Sequence, residues 1–255
     1  MSKELVKKEE TAIVVGTPTE SMSDYGIEMK DITIYKLLLT QKTSSRANEE
    51  KAEWGDIVHQ RTNDKLASFG NPVEIIPLRT FKDWAVYDAS GNEAKWVRTE
   101  PYTGVDLDWT FTEEGKPMRR DITINLVCLL ADEANDGDAM PFIVSMKRRS
   151  FPAGKDAATL MARQLMFGQP VFAKTLLLSS DKEKQKNGSN IYAVFKIAAG
   201  NKTTESGKHI AKIWIENLKR TKLSVDNSDQ EVETEAATPP PIPTMPSVEG
   251  NEDLY

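Results

Sequence analysis

Five aromatic residues, Phe81, Trp84, Tyr87, Trp96 and Tyr102, are interleaved with Arg79, Lys82, Lys95 and Arg98 in the stretch RTFKDWAVYDASGNEAKWVRTEPY. Aromatic rings stack on nucleobases while cations track a phosphate backbone, so this mixture on a sheet surface suits the binding of a single nucleic-acid strand, at about 1–3 kcal/mol per stacked base. More than half of such rings are expected in the core, and a few on the solvent face suffice. A second cationic group, Lys147, Arg148 and Arg149 in SMKRRSF, stands at the end of an expected strand. Three successive cations there cannot share one face, but they can flank a groove. Lys174 follows, and then Lys182, Lys184 and Lys186 at alternate positions in SSDKEKQKNGS. Alternate spacing puts those three on one face wherever the strand ladder reaches them. We take Arg79, Lys82, Trp84, Trp96, Arg98, Lys147, Arg148, Arg149 and Lys174 as the expected contact set.

Catalytic chemistry is poorly represented. The chain holds two histidines, His59 and His209, and no His/Cys spacing suited to zinc. It carries no phosphate-cradling glycine–lysine loop, dinucleotide fingerprint or nucleophile elbow. Asp132, Glu133, Asp136 and Asp138 in ADEANDGDAM lack the fixed ligand spacing of a calcium loop and read as a solvated loop. Cys128, the single cysteine, lies in the apolar run ITINLVCLL, where burial keeps a thiol protonated and inert. A non-enzymatic chain without metal or cofactor is the expectation.

Charge is divided sharply along the chain. The net charge is −6, yet residues 140–222 hold sixteen Lys/Arg against five Asp/Glu, or +11. Residues 1–139 are −9, and the segment after Lys222 is −8, with no cation at all. A basic segment beside a detached acidic one suggests a polyanion-binding surface and a mimic of its ligand. The final segment, rich in acids and with PPPIPTMP at its centre, has too little apolar content to fold. It closes on Glu252, Asp253, Leu254 and Tyr255, two acids and two apolar residues that could anchor in a partner's pocket.

The elements that must position these residues are mostly strands. NPVEIIPLRTFKDWAVYD alternates around Pro77, SGNEA is turn chemistry, and KWVRTE returns as a second arm. DITINLVCLLA is apolar on both faces and reads as a central strand, PFIVSMKRRSF as another, and DEANDGDAM between them as a loop. Two apolar runs around SSDKEKQKNGS predict a hairpin. GKDAATLMARQLMFG and HIAKIWIENLKRT carry helical spacing. Strands joined by hairpins, with two helices, predict a mainly β fold: an OB-like antiparallel barrel with insertions and a disordered acidic tail. The expected organisation is a flexible arm over 1–20, a nucleic-acid-binding domain over 21–223 and the tail over 224–255. The N-terminus lacks the apolar core of a secretory signal, and no apolar run of about 18 residues could span a membrane.

With its Pro-rich spacer and the ending Glu252, Asp253, Leu254, Tyr255, the chain resembles the acidic-tailed single-stranded DNA-binding proteins of bacteriophages and bacteria. Its order of segments (DITIYKLLLTQ, WGDIV, PVEIIPLRTFKDW, PFIVSMKRRSFPAGK, PVFAKTLLLSSDKEKQKNG) also looks like a family of phage and prophage proteins, over roughly residues 30–200. The tail departs from the former group in its dispersed acids and in ending on Tyr rather than Phe. The resemblance implies sequence-tolerant coating of single-stranded DNA in phage replication or recombination, in the host cytoplasm. It also implies a tail that recruits replication proteins, and homo-oligomers are allowed for. The alternative is a non-enzymatic phage adaptor or inhibitor acting through protein contacts.

Overall fold

The computed structural model describes residues 32–48, 52–91, 94–185 and 189–219. The arm placed at 1–20 and the tail placed at 224–255, with Glu252, Asp253, Leu254 and Tyr255, lie outside them. Two long strands organise the rest. β4 (Val73–Asp88) and β7 (Lys116–Leu130) pair antiparallel from Ile75–Leu130 to Asp88–Met118. A bulge falls between Pro77 and Arg79, where proline has no N–H to give the ladder. Val127, Cys128, Leu129 and Leu130 are all buried, so the C-terminal part of β7 is covered on both faces as its continuous apolar run requires.

Around this pair the sheet runs β10 (Ile191–Lys202), β9 (Lys174–Lys184), β4, β7, β8 (Phe142–Lys147), β1 (Tyr35–Leu39), β2 (Ile57–His59), β3 (Lys65–Ala67). Neighbours are antiparallel except β1 and β8, which run parallel. The sheet curls strongly into an OB-like half-barrel, and its two ends approach: Phe69, just past β3, bridges Ser180 on β9. Beyond the barrel, the C-terminal half of β4 and the N-terminal half of β7 continue outward. They pick up β5 (Lys95–Pro101) and β6 (Thr110–Glu113) as a four-stranded extension. The fold is therefore mainly β, as the sequence predicts.

Helix α1 (Ser45–Asn48) is one short turn. Helix α3 (Phe151–Met166) fills the concave side and buries Ala153, Ala157 and Met161 in a core shared with Leu126, Val144, Met146, Leu178 and Phe195. Burying each leucine-sized side chain there stabilises by about 1.5–3 kcal/mol. Gly154 permits the close approach, since a β-carbon at that position would lie 2.8 Å from Ile124. Helix α4 (Glu205–Lys219) is capped by the Thr204 hydroxyl, which accepts the Gly207 N–H (3.0 Å). It packs Gly207 against Ile76 of β4, and its Trp214 Nε1 donates to the Ala139 carbonyl (2.8 Å). One expectation fails. DEANDGDAM holds a third substantial helix, α2 (Ala131–Asp136), rather than a loop. Ala131 and Ala134 bury one side of it, and Gly137 closes it in the left-handed conformation (φ 85°).

Candidate nucleic-acid interface

Where the ends of the barrel meet, the chain assembles an aromatic–cation site. Gly55 has φ +89°, and any β-carbon there would collide with the Phe69 ring, so only glycine lets this turn settle onto the segment after β3. The Ser180 hydroxyl of β9 donates to the Gly55 carbonyl, while the Gly55 N–H donates to the Thr40 carbonyl (2.9 Å). Asp56, buried behind the turn, accepts the Glu53 N–H (3.0 Å) and pairs with Lys65 (2.9 Å). The turn thus holds the half-buried Trp54 edge-to-face against Phe69, with ring centroids 5.0 Å apart.

Two ammonium groups converge on that ring. Lys42 Nζ lies 4.2 Å from the Trp54 centroid, and Lys182 Nζ lies 4.9 Å from both Trp54 and Phe69. The Gln41 side chain positions Lys42. Its Oε1 accepts the Ala193 N–H (3.0 Å) and its Nε2 donates to the Ala193 carbonyl (2.8 Å). Ala193 is the register partner of Lys182. Lys184 stands two residues on, on the same face as Lys182 and exposed. Lys42, Lys182 and Lys184 meet no carboxylate among the described residues, whereas nearby Asp181 is held by Lys196 (2.8 Å) and has its carboxyl pulled below its ordinary range by that bond. The surface is a net-positive edge around aromatic rings, able to track phosphates and stack bases.

Arg149 belongs to the other face of this ribbon, 4.6 Å over Tyr192 and paired with Glu183 (3.3 Å). Arg148 explains the divergence: its φ of 49° is left-handed, which breaks β8 and sends its neighbours apart. Lys147 Nζ donates to the Tyr87 hydroxyl (2.7 Å), and Arg148 Nε donates to Asp121 (2.7 Å), which Arg119 also grips (3.0 Å). Tyr87, Asp83, Asp121 and Thr123 share this face of the β4–β7 ladder. Asp83 accepts from Asn125 Nδ2 (3.0 Å), the Asn125 Oδ1 accepts in turn from the Ser145 hydroxyl (2.8 Å), and burial pushes the Asp83 carboxyl up to about 6.

The opposite face of the extension receives Lys82, Trp84 and Arg98. Trp84 is corrected most plainly: at 2 % exposure it is core, supporting Tyr102 (5.7 Å) and Trp109 (6.4 Å). A ring so enclosed has no open surface for a base. Lys82 lies 5.1 Å over Tyr102. Arg98 is gripped at 2.8 and 3.0 Å by Glu113 and at 2.7 Å by Glu100, and these carboxylates push its guanidinium further up. Trp96 is half-buried as the partner of Tyr87, Arg79 donates to the Leu218 carbonyl of α4 (3.2 Å), and Lys174 is exposed at the far end of β9 opposite Lys202. The nine residues therefore occupy several surfaces rather than one groove.

Sequence reasoning missed Lys42, Trp54 and Phe69. They lie in separate segments that only barrel closure brings together; Gly55 directly after Trp54 is the one local signal that the turn is special. No curated protein and no solved structure matches the chain. A family model described as Pam3 phage gp34-like protein matches residues 8–223.

Proposed function

This chain belongs to the Pam3 phage gp34-like family, and from that premise we propose that it binds single-stranded DNA without strong sequence preference during phage DNA replication or recombination. The observation that carries the reading is the convergence of Lys42 and Lys182 on Trp54, with Lys184 beside them and no carboxylate paired with the three among the described residues. In this reading Trp54 stacks a base, the lysines slide from its ring to the flanking phosphates, and Arg149 with Tyr192 extends the path across the ribbon. Exposed Lys174 lies further along β9. The protein acts by binding rather than catalysis, and the acidic tail ending Glu252, Asp253, Leu254, Tyr255 recruits replication proteins while the body holds the strand. The host cytoplasm is the place of action.

Fluorescence anisotropy with labelled oligo-dT tests the reading, using the full chain and a version cut after Lys222. Binding is expected for both at about 50 mM salt, weakening as salt rises. Trp54→Ala is expected to weaken it by about 1–3 kcal/mol. No binding by either version at low salt would reject the proposal.

A further inference from the structure

The extension carries a second aromatic surface of the opposite charge. Val105, Leu107 and Trp109 are large apolar side chains standing in solvent on the segment that joins β5 to β6. Trp109 is 56 % exposed although its inner edge rests on buried Trp84. Residues 105–109 read V-D-L-D-W, so every second position is a carboxylate. The Tyr102 hydroxyl donates to Asp106 (3.1 Å), fixing that carboxylate beside the rings, and exposed Asp108 meets no cation among the described residues. The arginines that could offset them are committed elsewhere: Arg98 to Glu100 and Glu113, Arg120 to Glu100 (3.3 Å) and to the face of Phe111 (3.6 Å). Lys82 stands over the Tyr102 ring (5.1 Å) and offsets part of this charge, leaving Asp108 open. An apolar patch with a rigid aromatic anchor and flanking acids complements a cationic chain bearing apolar side chains.

We propose that Val105, Leu107 and Trp109, with Asp106 and Asp108, form the docking site for a basic, apolar-containing segment of a partner protein. Trp109 is the anchor, held by Trp84, and the two aspartates select for lysine or arginine on either side of the inserted residue. The surface is separate from the Trp54 edge, so this inference stands or falls independently of DNA binding.

The test uses the full chain and a fluorescent peptide alternating lysine and valine, with a glutamate–valine peptide as control and oligo-dT as competitor. The lysine peptide is expected to bind, the glutamate peptide to be at least about tenfold weaker, and oligo-dT to leave the lysine peptide bound. Trp109→Ala and the double change Asp106→Asn with Asp108→Asn are each expected to weaken the lysine peptide by on the order of tenfold, while Trp54→Ala leaves it unchanged. The aspartate changes alter only exposed side chains and so keep the test valid should Trp109→Ala disturb the Trp84 packing. Equal binding of both peptides, displacement by oligo-dT, or indifference to the aspartate changes would overturn the proposal.

Discussion

Replacing Lys182 and Lys184 by glutamine probes the proposed DNA edge with little risk to the fold, since both side chains are exposed at the end of β9. The magnitude follows from counting the cations at the Trp54 edge that pair with no carboxylate among the described residues. Lys42, Lys182 and Lys184 are three such cations, whereas Arg149, Arg98 and Arg148 each already face a carboxylate. Each phosphate neutralised on a single strand contributes about −0.7 to the slope of log K against log salt. Three contacts give a slope of about −2, so affinity falls about 18-fold between about 50 and 200 mM salt. The double variant retains only Lys42, giving a slope of about −0.7 and a fall of about threefold over the same range. Anisotropy titrations of both proteins at four or more salt concentrations give the slopes directly. A wild-type slope of about −6, or a double variant with the wild-type slope, would refute the assignment, because either result places the phosphate contacts elsewhere.

Gly55→Ala forces a side chain into a left-handed turn against the Phe69 ring; urea unfolding is expected to show a loss of about 1–3 kcal/mol, with Trp54 emission altered in the native state. Burial raises Asp83 from its ordinary 3.8 to about 6, so the fold favours its protonated form. The associated stability is full below about pH 4 and is lost as pH rises through about 6, a cost of at most about 3 kcal/mol. Melting temperatures of wild type should therefore fall relative to Asp83→Asn between those values, and parallel curves would show that the buried carboxyl is not disfavoured. Cys128 is fully buried and its thiol is pushed up to about 12, so an aromatic disulfide reagent should leave the native protein untouched and titrate one thiol after unfolding. Prompt reaction of the native protein would contradict the packing of β7.

The sequence made the strands legible because their apolar runs and turn residues are local signals. β7 is central as ITINLVCLL indicates, and the β9–β10 hairpin extends through Lys184, so Lys182 and Lys184 do share a face. The helix α2 was hidden because its six residues are mostly polar and only two alanines are buried. The site was less legible for a different reason. Alternation assigns side chains to two faces of a strand without saying which face is covered, and in the extension both are partly covered. Trp84 and Tyr87, three residues apart, are consequently both buried on opposite faces, while Trp109, from the unremarkable run LDWTF, stands open. Nor does local pattern reveal that carboxylates from β5 and β6 grip Arg98, or that Phe69 comes to lie under Trp54.

β4 and β7 each pass as one strand from the barrel into the extension, and this has a mechanical consequence. Tension applied along these strands, as when a partner gripping the extension is drawn away from a strand held at the barrel, loads their hydrogen bonds together in shear instead of opening them one at a time. The barrel and the extension also belong to one cooperative unit, because neither can melt without breaking the ladder they share. The slowest-exchanging amides should accordingly run as one band from the Arg79–Val127 pair out to the Val86–Arg120 pair, crossing the boundary between the two parts with no step in protection.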